Sequence, residues 1–302
     1  MLDNVSRRVR EKLNQWKFQR ALPCIVKTPQ VKLGDTPFTL LSMVHHRDVA
    51  AYLLAVKSFV SALPPRRIVV VMDPSITTQD RDLLAAHVPA IVFLAAADCR
   101  DQALPRGGTW ERLIAISNEV KHDYVVQLDA DTVTLGELPE IAESIRAGRS
   151  FVLATEDEQD FCSCSAIAAW AQARLGAGEH VQVVAESLLD RVAGTESLRY
   201  VRGCSGFSGF AKDSFNRAKL VDFSQQMQHM LGNRWSEWGT EQFTSNFMVA
   251  NSPQAMVLPH PNYCHPLREK PGTVFLHFVG YVRYLTPRYT QAVHQICEKL
   301  KT

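Results

Sequence analysis

Little net charge, no paired cysteine spacing and no long apolar run mark this sequence, and each absence excludes something. A formal charge of +2 over 302 residues lacks the basic excess with which nucleic-acid-binding chains meet phosphates. Seven cysteines occur without a CxxC, so the spacing of a structural zinc site is missing. An odd, scattered set with one close pair, Cys162 and Cys164, reads as reduced thiols in a cytoplasmic protein. No apolar run approaches a membrane span. The opening MLDNVSRRVREKLNQWKFQR is charged throughout and lacks the apolar centre of a secretory leader. Repeats and low-complexity tracts are also absent. What remains is an ordinary globular composition, 46% hydrophobic and 21% charged.

Segments with strand and helix patterns alternate through the first half. Strands are expected over 38–44, 67–73, 90–96 and 124–128, with helices from Asp48 to Ala62, from Thr77 to His87 and from about Thr109. Continuous apolar strands separated by helices predict an α/β fold, a mostly parallel central sheet flanked by helices. The second half is less regular. Ala-rich helical patterns cover 165–175 and 180–193, and a short strand from Leu198 runs into 203-GCSGFSGFAK-212. Gly206 and Gly209 there mark a bend or a close backbone approach. The stretch 235–250 becomes helical, with Thr240 as a good N-cap. A Pro-rich passage then precedes a strand over 273–278 and a basic helix from Thr286.

Residues 1–30 form a separate basic amphipathic segment. Val5, Val9, Leu13 and Trp16 share one helical face, with Arg7, Arg8, Arg10, Lys12 and Lys17 around it. That face either packs on the domain or a partner, or makes peripheral contact with an anionic membrane.

The stretch 124-YVVQLDADTV-133 raises the question of chemistry. Ligands of open parallel sheets bind beyond the carboxyl ends of the strands, and Asp129 and Asp131 sit at such an end. Two unpaired carboxylates lose hydration and repel each other when buried. A divalent cation removes both problems, and oxygen ligands suit magnesium, manganese or calcium better than zinc. The competing reading is a capping aspartate plus a surface aspartate in a turn.

Beyond these residues, the stretch 109–141 resembles the core of family 8 glycosyltransferases. The residues that carry the resemblance are Arg112-Leu113 at the start of a helix, Leu128-Asp129-Ala130-Asp131 after a strand, and Glu137-Leu138. Tyr52, Lys57 and Ser58 look like the family's first helix. Glu241-Gln242 with Asn246 resembles its Asp-Gln element, Cys204-Ser205-Gly206 its Asn-x-Gly turn, and His277-Phe278-Val279-Gly280-Tyr281-Val282-Arg283 its His-x-x-Gly-x-x-Lys motif.

The resemblance implies a GT-A (nucleotide-diphospho-sugar transferase-like) domain over 31–302. Its nucleotide-sugar half would cover about 38–156, its acceptor and catalytic half 157–285, and a C-terminal helix 286–302. It implies a hexosyltransferase that takes a nucleotide-sugar donor, a UDP-sugar first, and retains the anomeric configuration. The acceptor would be a carbohydrate, a glycolipid or a protein. Asp129, Asp131 and His277 would hold Mn2+ or Mg2+. His46, Arg112, Asp129, Gly206, Glu241, Gly280 and Arg283 would bind the donor. Glu241 and Gln242 would be catalytic, Glu241 on sugar hydroxyls and Gln242 at the face of the anomeric carbon. Arg112 would pair with Asp131 or a phosphate, and Trp235 and Trp238 would line the acceptor site or the core.

His46 stands where the family commonly has an acidic residue, with Asp48 as a substitute after a register shift. Arg283 replaces the motif's Lys and can still hold a diphosphate in bidentate fashion. Two other readings stay open: a sugar nucleotidyltransferase, although the loop 45-HHRDVAAY-52 lacks that class's glycines, and a non-catalytic nucleotide-sugar-binding protein of the same fold.

Overall fold

The computed structural model describes residues 2–155, 159–280 and 282–301, with side chains from Arg7 onward. Val5 of the helical stripe and Tyr281 of the C-terminal motif lie outside the described side chains. The fold is α/β, its main sheet mostly parallel and flanked by helices. The chain divides into two compact units. One comprises residues 1–93, 128–142 and 259–302, the other residues 94–127 and 143–258.

In the first unit the strands Thr36–Val44 and Pro65–Met72 pair in parallel, Leu40 opposite Ile68 and Val44 opposite Met72. The helix Val49–Ala62 connects them and is buried on nearly every side, which suits an apolar run containing only one charge, Lys57. That ammonium is buried and donates to the carbonyls of Ile25, Thr28 and Pro29 and to Thr28 Oγ1 at 2.7–3.4 Å. It ties down the chain that follows the N-terminal helix. Burial pushes it down to about 8. Its neighbour Ser58 accepts the Thr134 N–H at 3.1 Å and so pins the strand Thr132–Thr134 just beyond the two aspartates. The helix Thr78–His87 opens with a capping box: Thr77 Oγ1 accepts from Asp80 N, and Asp80 accepts from Thr77 N. A separate three-stranded sheet orders Tyr263–Cys264, Phe275–His277 and Thr132–Thr134, the first pair parallel and the second antiparallel.

The cysteine expectation fails in this unit. Cys24, after the helix Leu2–Ala21, and Cys297, in the helix Arg288–Lys299, form a disulfide with 6.2 Å between Cα atoms. The other five cysteines are thiols. Two partners 273 residues apart leave no spacing signature, and the argument from reduced thiols to the cytoplasm loses its premise.

In the second unit the strand Phe151–Ala154 pairs in parallel with Met256–Val257 and antiparallel with Gly203–Phe210. The Gly-rich stretch is thus a fully buried eight-residue strand, and its register against Phe151–Ala154 breaks between Cys204 and Ser208, around Gly206. Side chains at Gly203 and Gly209 would collide with Val152 and Phe151, both at 2.2 Å. Packing against the neighbouring strand therefore explains these glycines. The helix Thr240–Ala250 is preceded by Gly239 at φ 109°, and Gly239 rather than Thr240 takes the N-cap position. A Cβ there would also meet the His180 ring at 2.6 Å. The two Ala-rich helices run Cys164–Gln172 and Val181–Glu186, the second shorter than its pattern. The helix Arg217–Leu231 adds an element that the sequence reading lacked.

Candidate functional site

Two clusters of the expected residues form, one in each unit. In the first, Asp129 and Asp131 follow directly on the strand Tyr124–Leu128. The loop is held by Thr132 Oγ1, which donates to Asp129 O at 2.8 Å. His277 arrives by the antiparallel pairing described above, opposite Thr132. The Phe278 N–H donates to Asp131 O at 2.8 Å and extends this connection by one bond. Ligand atoms of Asp129, Asp131 and His277 all lie within 4.8 Å of one another. His277 thus reaches the aspartates through an antiparallel pairing in the separate three-stranded sheet.

Asp131 is not one of two bare carboxylates. His277 Nε2 lies 3.2 Å from its Oδ1, and Arg283 donates to its Oδ2. Arg283 Nε also donates to Phe278 O at 3.1 Å, which fixes the plane of the guanidinium. Burial would raise the Asp131 carboxyl, but His277 and Arg283 outweigh it and hold the group at about 2. Burial likewise opposes the Arg283 cation, and the Asp131 carboxylate more than offsets this. Two carboxylates and an imidazole make a mixed O/N donor set that fits manganese well and admits magnesium. Gly280, three residues after His277, is exposed, and a Cβ there would meet nothing within 4 Å. Its backbone is open to a ligand.

His46 lies just past the strand Thr36–Val44. Its Nδ1 is 2.7 Å from Asp80 Oδ2, and its N–H donates to Ser75 Oγ at 3.1 Å. The side chain stays 60% exposed, an oriented imidazole with one edge to solvent. Asp80, the partner that aims it, was read from sequence only as a helix residue. His45 is held similarly, 3.2 Å from Asp73. Hydrogen bonds from their neighbours keep both aspartates below the ordinary carboxylate range, although burial pulls the other way.

In the second unit Arg112 and Glu241 form a buried ion pair at 3.0 Å, 4% and 2% exposed. Each stands in the first turn of its helix, Trp110–Glu119 and Thr240–Ala250. An acidic residue at that place favours the helix dipole and an arginine opposes it, so Glu241 compensates Arg112. Thr109 Oγ1 and Ser205 Oγ also donate to Glu241, at 2.9 and 3.4 Å, and Arg112 donates to Ser205 Oγ at 3.2 Å. Glu241 is a partner of Arg112 that the sequence reading did not name. Gln242 bridges two segments, its Oε1 accepting from Ser205 N at 3.3 Å and its Nε2 donating to Gln182 Oε1 at 3.1 Å. Asn246 donates to Gly203 O at 2.8 Å. Gly206 is buried in the same strand, and Ser205 beside it supplies the polar contact that sequence reasoning missed.

Trp235 is core: fully buried, with Nε1 donating to Ser224 Oγ at 2.8 Å and the ring edge-on to Trp110. Trp238 is 74% exposed and meets His180 edge-on. A cavity of about 350 Å3 in this unit, walled by Phe215, Phe223 and Phe247, contains none of the expected site residues.

No family model matches the chain, and no curated protein matches it in sequence. Solved structures do. The galactosyltransferase LgtC, determined in complex with donor and acceptor sugar analogs, is similar with a TM-score of 0.52 at 12% identity, over 87% of this chain and 96% of its own. The bifunctional glycosyltransferase WbbM in its apo form gives 0.52 at 15% identity over 89% of this chain. This chain spans 51% of WbbM. Likeness at such low identity speaks for the backbone arrangement, and the chain therefore has the GT-A fold.

Proposed function

We propose that this protein is a metal-dependent glycosyltransferase. It would move a hexose-type sugar from a nucleoside-diphosphate sugar to an acceptor, with retention at the anomeric carbon. The observation that carries the reading is the meeting of Asp129, Asp131 and His277 within 4.8 Å, beside Arg283, on a fold that sugar-transferring enzymes use. Asp129, Asp131 and His277 would hold the cation, Mn2+ or Mg2+, which when bound supplies Lewis-acid stabilisation to a diphosphate leaving group. Arg283 adds a fixed positive charge beside them, and its planar fork suits phosphate oxygens. Gly280 lets the phosphate-bearing end of a donor approach backbone. We assign His46 to the nucleoside part, its ring already aimed by Asp80. Arg112, Glu241 and the strand around Gly206 take the donor-sugar role that the resemblance implies. Arg112 supplies the counter-charge of Glu241, and Gln242 beside it takes the place at the anomeric carbon that the resemblance implies.

A panel of nucleotide sugars incubated with manganese tests the reading. Slow release of nucleoside diphosphate, abolished by EDTA and restored by manganese, is expected, with the largest rate for a UDP-sugar. NMR of an early transfer product should show the donor's anomeric configuration. Turnover that depends on pyrophosphate would make the protein a nucleotidyltransferase. Donor binding without turnover would make it a binding protein.

A further inference from the structure

The helix Leu2–Ala21 presents two opposite faces. On the inner one Asn14 and Phe18 are buried. Asn14 donates to Tyr284 O at 2.9 Å, and Phe18 stacks on Tyr289 with ring centroids 4.0 Å apart. On the outer one Val9, Leu13 and Trp16 are 62%, 47% and 50% exposed. At 3.6 residues per turn these three fall within an arc of about 60°. The same geometry places Arg10 and Lys17 along one border of the stripe and Arg8 and Lys12 along the other, and all four are exposed. From Arg7 to Arg20 the helix carries six cations and one carboxylate, Glu11, which Arg7 holds at 2.8 Å. Arg20 lies over the Trp16 ring at 4.8 Å. On the Arg8 side the surface dips into a groove of about 330 Å3, which Arg7, Arg8 and Lys12 share with Gly280 and Tyr284.

We propose that this outer face of the N-terminal helix docks the protein on an anionic lipid surface, the Val9–Leu13–Trp16 stripe entering the interface between two rows of cations. Single exposed apolar side chains need no explanation. Three in register, bordered on both sides by Lys and Arg, are the arrangement of a helix lying in the plane of a membrane. Charge chooses the occupant. A second copy of this face would set cations against cations, whereas anionic headgroups neutralise both rows. Among the described residues no helix is long and apolar enough to cross a membrane, so the contact is peripheral. The face is also preformed: its inner side is packed, and the Cys24–Cys297 disulfide ties the chain just after it to the helix Arg288–Lys299. The inference stands independently of the catalytic reading.

Sedimentation of the full chain with vesicles tests it. Vesicles of phosphatidylcholine containing phosphatidylglycerol should bind at least about tenfold more tightly than vesicles of phosphatidylcholine alone, and high salt should remove the difference. Leu13→Asp and the pair Arg8→Glu/Lys12→Glu should each lower the anionic binding by roughly tenfold or more, with unchanged circular dichroism and Tm. Trp16→Gln serves as a second apolar variant if Leu13→Asp disturbs the helix. Equal partition to both vesicle types, no binding to either, or undiminished binding by Leu13→Asp and Trp16→Gln would overturn the proposal. So would a dimer in vesicle-free ultracentrifugation that Leu13→Asp converts to monomer, because the stripe would then belong to self-association.

Discussion

Replacing Asp131 by Asn tests the metal centre and the ion pairs around it together. The two side chains are nearly isosteric, and from sequence alone the change would relieve repulsion with Asp129. The structure reverses that sign for the protein without metal. Asp131 stands between His277 and Arg283, which hold its carboxyl well below the ordinary carboxylate range, a preference for the ionised form on the order of 2–3 kcal/mol. Asn can accept hydrogen bonds but carries no charge, so Asp131→Asn should cost about that much stability in EDTA. With unfolding entropy scaling with chain length, the loss corresponds to roughly 4 °C in Tm. Manganese separates the two roles. At a hundredfold excess over its dissociation constant it should add about 2.7 kcal/mol to the wild type and little to the variant. Differential scanning calorimetry with and without manganese reads both effects, and donor hydrolysis reads the third: activity should fall by at least about a hundredfold. A variant as active as wild type, or one that manganese stabilises equally, would refute the metal assignment. A variant more stable than wild type in EDTA would refute the ion-pair account.

Arg283→Ala should raise the donor KM by about tenfold or more with a smaller effect on kcat, since a diphosphate contact exists in both ground and transition states; an unchanged KM removes Arg283 from the phosphate site. Glu241→Gln should lower stability by about 3–5 kcal/mol, because a buried guanidinium loses its counter-charge. Adding Arg112→Met should then cost less than the two single losses together, and strict additivity of urea midpoints would contradict the pairing. Asp80 is held below its ordinary value, so its contribution is present above about pH 4 and disappears as pH falls through the lowered value. Asp80→Asn should therefore destabilise at about pH 6, with the gap to wild type narrowing as pH falls below about 4, whereas a pH-independent gap would exclude the charge as cause. Cys24→Ser should lower Tm even with every other thiol intact, by up to roughly 5 kcal/mol of loop-closure stabilisation; equal Tm values for oxidised wild type and variant would mean the cross-link does not constrain the unfolded chain.

The parts of the fold legible in sequence were those set by local pattern. The apolar runs and the carboxylates after YVVQL announce themselves within a few residues. Asp129, Asp131 and His277 could be joined only through the family resemblance, because the pairing that brings His277 to Thr132 is long-range. Partners distant in sequence stayed hidden for the same reason. Nothing near His46 points to Asp80 as its orienting group, and nothing near Arg112 points to Glu241. The disulfide had no spacing to betray it. The glycines of Gly203–Phe210 announced a close approach, because glycine normally weakens strands and needs a reason there; that the partners are Phe151 and Val152 on the neighbouring strand is long-range and could not be read. Gly239 took the cap from Thr240 because the entry into that helix needs a positive φ, a demand that a side-chain preference does not express.

The antiparallel pairing of Phe275–His277 with Thr132–Thr134 divides the C-terminal region into parts with different tolerance to change in length. Side chains alternate faces along a strand, so slipping the register by one residue turns His277 away from Asp131 and brings Leu276 or Phe278 round in its place. A single inserted residue inside 275–277 should therefore abolish the centre without altering any of its ligands. The loop between Tyr263–Cys264 and Phe275, with Gly272 at φ 94° and no neighbour within 4 Å of a Cβ there, can absorb the same insertion at the surface. Related chains can thus differ freely in the length of that loop while keeping the spacing from Phe275 to Arg283 constant. That spacing, more than the identity of any one residue in it, is the quantity a search for functional relatives should hold fixed.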